Sequence, residues 1–516
     1  MDLFTGVWYL CTGLAVLTLL AVVRTQRVTP NATLLRGPPS SSILWGVRRS
    51  IRQTANPGAL YERWERLYGG AYEITGVAGS KEVILTDSMA LSHFYAKDGS
   101  SYARTTYFRL GVEKMSSGSH SLHIINRQRK NMLPAFTVGF VRRLCPVFLE
   151  TAHKVRKLSS ACRRLTIDLD AVGRAGYSYD FGALRDARGT LVQVLENISS
   201  LESSVLLVLT FLMTPAFPRL VLLMPTAFNK AISALNAKMT KACNELTARA
   251  KEAADAGAIS EDGSIIGLLH QVGSAHIQGG CRIQHLRQMK TLLVAGYEST
   301  AATMTWILVR LSQAQDIQAK LREELLTNLG TADPDWASLT TGLPYLDAVV
   351  QEVLRLHPAV LETWREATTD DTLPLGTAIT TRDGQIVDRI TIRKGTRVTV
   401  PISCVNQAES IWGADASEFK PERWLRDGGI PSKAQKLQGH RHILTFLDGP
   451  RMCLGRNFAL AEMKAVVSVL IRHYAFSLRD GPHTKLVTTK SIVPRATVAG
   501  EIGDRVPFKL RIHRIE

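Results

Sequence analysis

Phe446-Leu447-Asp448-Gly449-Pro450-Arg451-Met452-Cys453-Leu454-Gly455 reads F-x-x-G-x-R-x-C-x-G and runs on, from Ala459, into an apolar stretch of helical spacing. A thiolate at the end of a glycine-bent loop can act as the electron-donating fifth ligand of a haem iron, an arrangement that favours O–O bond cleavage. In that reading each fixed position has a task. Gly449 and Gly455 let the backbone turn tightly and lie against a flat macrocycle, where a β-carbon would clash. Arg451 can reach a propionate, Phe446 can pack beside the sulfur, and backbone N–H groups at the helix start can temper the thiolate's charge. A structural role in the core is the commoner fate of a free cysteine. Five fixed positions, however, fall into this register by chance in about one chain of this length in ten thousand. Cys453 is therefore read as a metal ligand.

Other motifs stand upstream in a fixed order. Glu352-Val353-Leu354-Arg355 sets an acid and an arginine three apart on one helical face, where they can pair. Leu356-His357-Pro358 follows, and Pro421-Glu422-Arg423-Trp424 lies between this pair and the cysteine loop. Ala295-Gly296-Tyr297-Glu298-Ser299-Thr300 sits inside a long apolar pattern over residues 283–314. A glycine there lets a helix open locally, with hydroxyl side chains taking up the freed backbone groups. An acid followed by a hydroxyl residue can deliver protons to oxygen under reduction. Together these motifs resemble those of the cytochrome P-450 family, the haem-thiolate monooxygenases.

The resemblance implies a mainly α fold with a small β region, a long central helix over the haem and the cysteine loop below it. It implies non-covalent haem b, held by Cys453 as axial ligand. Glu352, Arg355 and Arg423 would form a buried structural triad supporting the loop. Ser299 occupies the position of the family's first threonine and keeps its hydroxyl but not its methyl; Glu298, Ser299 and Thr300 would relay protons. A propionate is expected to meet Arg451, Arg365 and an arginine preceding Pro134-Ala135-Phe136. Arg129 matches that last position and Arg127 competes with it. The aromatic or histidine partner usual in the family is replaced by Ile125, with His120 and His123 out of register. The wording of the motifs is similar to that of fungal microsomal members used in secondary metabolism, such as terpenoid tailoring.

The 516 residues could fill several domains, but the motifs thread through residues 125–460 in one order, which argues for a single large domain. Sixty-three basic against 45 acidic residues leave a charge of +18, pointing to an acidic partner or a membrane surface. No zinc, aromatic or glycine-loop module supports nucleic-acid binding. The resemblance implies instead an acidic flavin-containing NADPH–cytochrome reductase docking near the cysteine loop. Seven irregularly spaced cysteines without a C-x-x-C pair speak against a disulfide framework, a structural zinc and covalent haem.

Residues 3–23 carry no charge and would span about 31 Å as a helix, matching a hydrocarbon core of roughly 30 Å. Asp2 precedes them, and Arg24 and Arg27 follow, which places the N-terminus outside and the body in the cytosol. A cleaved signal peptide competes with this reading but lacks a basic leader and a convincing small-residue cleavage site. The division is therefore an anchor over 1–27, a proline-rich hinge over 28–46 and a catalytic domain over 47–516. It implies a single-pass protein of the endoplasmic reticulum membrane. The sequons at Asn31 and Asn197 would then face the cytosol and stay unglycosylated. Residues 205–213, cut short by Pro215 and Pro218, read either as a lipid-contacting lid or as a core helix.

Residues 71–76 and 82–86 read as a hairpin, 390–401 as strand-like and 407–439 as a meander. The expected activity inserts one atom of O2 into a lipophilic small molecule. The pocket would be lined by residues 102–121, 359–364 and 491–495. Two rivals remain: a same-fold isomerase or dehydratase working without a reductase, and a non-catalytic haem sensor or carrier. Retention of the acid–hydroxyl pair argues against both.

Overall fold

The computed structural model describes residues 33–116, 129–157, 281–481, 484–499 and 510–515, with gaps at scattered positions and a few described positions elsewhere. Residues 3–23 apart from Gly13, the sequon asparagines Asn31 and Asn197, and residues 205–213 lie outside the described residues. Among the described residues no helix is long and apolar enough to cross a membrane.

The N-terminal part of the body mixes helix and sheet. α1 (Pro57–Tyr68) starts where the Asn56 side chain accepts from Ala59 N–H and Pro57 takes the first helical position, two local start signals. It buries Tyr61 and Trp64 against the sheet that follows. β1 (Ala71–Thr75) and β2 (Lys81–Leu85) form the expected antiparallel hairpin, with Ala71 opposite Leu85. α2 (Ser88–Ala96) begins at Asp87, which accepts from the N–H groups of Met89 and Ala90. β3 (Tyr102–Ala103) and α3 (Thr106–Ser116) come next, and α4 (Cys145–Lys157) follows the break.

The C-terminal part carries the long elements. α5 (Cys281–Gln313) covers the predicted apolar pattern and leads through Ala314 into α6 (Gln315–Leu329). α7 (Pro344–Leu356) opens on proline, holds Asp347 in its first turn and carries Arg355 in its last, in the sense the helix dipole favours. Every residue of α7 from Ala348 to Leu356 is buried, as in a core helix packed on all sides. β4 (Thr363–Ala367), β5 (Asp371–Thr380), β6 (Ile386–Ile392) and β7 (Arg397–Val400) precede the meander of short helices. α8 (Arg456–His473) then runs through the core against α4, α6 and α7. The chain closes with β8 (Tyr474–Leu478), β9 (Leu486–Thr488), β10 (Ala496–Val498) and β11 (Leu510–Arg514).

The main sheet has the order β1-β2-β7-β4-β3 and is antiparallel except for the β2–β7 pair. Pairing of β3 with β4 sets Ala103 opposite Glu366, which carries Arg104 alongside Arg365. Smaller pairs are β5–β6, β8–β11 and β9–β10; the last rests against α5.

The later part of the proline-rich stretch is docked on this body. Glu73 N–H donates to Arg36 O at 2.9 Å, Arg382 N–H donates to Leu34 O at 2.7 Å, and Leu35 is buried. A β-carbon on Gly37 would lie 1.7 Å from the Glu73 carbonyl oxygen, so only glycine lets the backbones approach this closely.

Candidate active site

The cysteine loop folds by closing on itself. Leu447 adopts a positive φ of 61°, the Asp448 carboxylate accepts from Gly449 N–H at 2.6 Å, and Cys453 N–H donates to Phe446 O at 2.8 Å. Gly449 has φ +66°, and a β-carbon there would stand 2.3 Å from the Tyr95 carbonyl oxygen at the end of α2. Its need for glycine therefore comes from protein packing rather than from a macrocycle. Gly455 is the opposite case. Its φ is −82°, and a β-carbon there would find its nearest neighbour, Phe136 Cε1, at 3.9 Å.

Cys453 is exposed, whereas Cys145 and Cys404 are buried. Its sulfur nevertheless sits in a recess where surrounding protein raises the thiol's pKa, while the Gly455 N–H and the Arg129 and Arg456 guanidinium groups pull it down. The exposure governs what the sulfur can bind; the crowding governs its charge. Arg129 also anchors the loop, donating through Nη2 to Met452 O at 2.7 Å. Arg127 lies outside the described residues, as do His120, His123 and Ile125.

Beside the loop is an excess of cations. Arg104 and Arg451 make no hydrogen bond or ion pair among the described residues. Burial and the neighbouring Arg365 and Arg451 bring Arg104 down to about 10, against the pull of Asp98 and Tyr95. Burial and Arg365 also lower Arg451, whose guanidinium lies against Gly99, with Nε 2.9 Å from where a β-carbon would stand. Guanidinium groups crowded together in this way favour an anion between them.

Arg365, expected to meet such an anion, also has protein partners of its own. It is fully buried, with Nε and Nη2 on the two oxygens of Asp98 at 2.8 and 2.6 Å and Nη1 on Thr363 Oγ1 and Trp364 O. These bonds occupy all but one of its five donors. Arg365 thus fixes Asp98, and Arg104, which no motif pointed to, lies near both.

Below the loop, Arg355 grips Glu352 with Nε and Nη2 at 2.9 and 2.7 Å, and both side chains are wholly buried. Arg355 also donates to the carbonyls of Asn406, Ala416 and Glu418. Trp424 Nε1–H and Lys420 N–H donate to Glu352. Arg423 stands 3.6 Å from Glu352 and spends its hydrogen bonds on Asp415. Asn406 carries the support upward: its Nδ2 donates to Thr445 Oγ1 at 2.9 Å and its Oδ1 accepts from Leu444 N–H. Thr445 in turn donates to Leu354 O at 2.6 Å. Sequence motifs flagged neither Asn406 nor Thr445, although they connect α7 to the loop.

On the other side, α5 runs without interruption through Gly296, so the expected local opening is absent. Ser299 Oγ donates to Ala295 O at 2.7 Å and Thr303 Oγ1 to Ser299 O at 3.0 Å. Thr300 is buried. Glu298 meets Arg495, with Oε1 to Nη2 at 3.1 Å. Among the described residues no hydrogen bond joins Glu298, Ser299 or Thr300 to the cysteine loop. The two halves meet instead through His357, stacked on Trp306 at 3.8 Å and accepting from Arg310 Nε at 2.8 Å. Burial and the two arginines Arg310 and Arg355 keep that imidazole neutral and so able to accept.

An exposed thiol in a recess, a cationic margin and a glycine whose β-carbon position is clear of protein suit a flat, dianionic, thiolate-ligated macrocycle. That donor set defines a haem-thiolate protein. The family described as cytochrome P450 matches residues 37–498. The chain is 40% identical to cytochrome P450 monooxygenase claW of Ampulloclitocybe clavipes, over 95% of each chain. It is 41% identical to claP of the same fungus, covering 96% of this chain and 95% of that one. Cytochrome P450 monooxygenase 205 of Postia placenta is 30% identical over 94% of both. This chain belongs to the cytochrome P450 family. It is a monooxygenase, and its cofactor is haem b.

Proposed function

We propose that the protein is a membrane-anchored monooxygenase that inserts one atom of O2 into a lipophilic small molecule, a terpenoid or other fungal secondary metabolite. Electrons come from NADPH through a separate flavin-containing reductase, which its positive charge favours as an acidic partner. Residues 1–27 anchor the chain in the lipid of the endoplasmic reticulum membrane, 28–46 form the hinge, and 47–516 form a cytosolic catalytic domain. When bound, haem b supplies the redox iron at which O2 is activated.

The chain's own residues do the rest. Cys453 provides the thiolate, tempered by the Gly455 N–H, with Phe446 and Gly449 shaping its loop. Arg451, Arg129 and Arg365 meet the propionates, Arg104 adds positive charge beside them, and Arg365 also holds Asp98. Glu352, Arg355 and Arg423 keep the loop in register. Glu298 and Ser299, with Thr300, hold and move protons on α5.

The observation that carries this reading is the exposed Cys453 thiol, bracketed by the Gly455 N–H and Arg129. Its test is the carbon monoxide difference spectrum of reduced membranes, for wild type and Cys453→Ala. A red-shifted Soret band lost in the variant is expected. A wild-type band typical of imidazole ligation, or no haem uptake, would overturn the reading. Glycan at Asn31 or Asn197 would reverse the topology, and turnover independent of NADPH would favour the isomerase class.

A further inference from the structure

Arg495 reaches Glu298 from the connection between β9 and β10, an element far along the chain from α5. The contact is an ion pair with the side chains 28% and 12% exposed respectively. The arm that presents the guanidinium is held by two hydrogen bonds to Thr489. Thr489 N–H donates to Arg495 O at 2.8 Å, and Arg495 N–H donates to Thr489 Oγ1 at 3.0 Å. β9 and β10 then pair from Thr488 opposite Ala496 to Leu486 opposite Val498. The hairpin is seated by burial of Val493 and Ala496. A cation on a braced hairpin therefore fixes the carboxylate of an acid one residue ahead of Ser299, whose own hydroxyl is committed to Ala295 O.

We infer that Arg495 is a positioning residue for Glu298, so that the β9–β10 hairpin sets the orientation in which this acid handles protons. The inference rests on the proposed role of Glu298 in proton relay and adds a second element to it. A partly exposed pair is weak enough to be exchanged for other partners, unlike a buried one. Displacement of the hairpin would thus alter the acid without disturbing the cysteine loop.

The test uses the reconstituted holoenzyme with reductase and NADPH in the absence of added substrate, and reads hydrogen peroxide released per NADPH consumed. Arg495→Met is expected to shift that ratio in the same direction as Glu298→Gln, by about two- to fivefold, the scale of a partly exposed ion pair. Arg495→Lys should move it back towards wild type. The double variant should match Glu298→Gln alone, because coupled residues are not additive. A readout independent of turnover is hydrogen exchange: Glu298→Gln should speed exchange at hairpin amides of residues 486–498. If Arg495→Met fails to retain its carbon monoxide band, Thr489→Val loosens the same arm and carries the same expectations.

An unchanged ratio in Arg495→Met beside a shifted one in Glu298→Gln would overturn the inference and leave the relay standing. Additive effects in the double variant would overturn it too. An unchanged ratio in Glu298→Gln would remove the relay reading and this inference with it.

Discussion

The charges beneath the cysteine loop and the charges on α5 are built in opposite ways. Glu352 and Arg355 are wholly buried and bonded to each other, to a tryptophan and to four backbone groups. Glu298 and Arg495 form a pair that is only partly buried. A buried pair with every lone pair and proton engaged specifies geometry, because any other arrangement strands a charge in the core. A partly exposed pair tolerates exchange of partners. The loop side is therefore fixed, and the α5 side is adjustable.

The sharpest way to break this contrast is Arg355→Met. It leaves Glu352 buried without its cation and should cost about 3–5 kcal/mol; urea titration of the purified protein and its haem content would report the loss. A cost no larger than that of Arg495→Met would erase the distinction.

His440 offers a pH test of the loop side. Its ring packs edge-on to Phe446 at 6.0 Å, its Nε2 has no partner among the described residues, and burial with Arg456 and Arg441 lowers its pKa to about 4. The ordinary value is about 6.5. The unfolded chain therefore takes up the proton first, so stability is complete above about 6.5 and falls as pH drops towards 4. The loss should be about 2 kcal/mol, allowing for partial exposure, and His440→Gln should flatten the dependence in thermal melts across that window.

Gly449→Ala should cost about 1–2 kcal/mol from its positive φ alone, with more from the Tyr95 carbonyl in its path. Calorimetry checks this, and a neutral result would mean that the loop can leave α2. The smallest stability effect belongs to α5. Ser299→Ala should stay within about 1 kcal/mol of wild type, while altering peroxide release per NADPH. A large loss of stability there would place α5 with the fixed side.

What was legible in the sequence was what is contiguous in it. The cysteine loop, the Glu352–Arg355 pair and the acid–hydroxyl pair on α5 each depend on neighbours a few residues away, so spacing exposes them. Arg104, Asn406 and Arg495 act across the chain: Arg495 meets Glu298 over 197 residues, and Asn406 meets Thr445 over 39. No local period marks such partners. Arg365 shows the converse limit. Its position could be read from a motif, but its orientation depends on Asp98, 267 residues away.

The bond between Arg129 and Met452 closes a loop of 323 residues. A ribosome adding about 5–20 residues per second needs roughly 15–65 s to bring the second partner out after the first. Throughout that interval the early segments that will flank the thiol must wait without it, because the cysteine is made after them. Closure around the thiol therefore waits for the far end of that separation, and a ribosome that stalls before Met452 leaves Arg129 without its carbonyl partner and the chain without this cysteine.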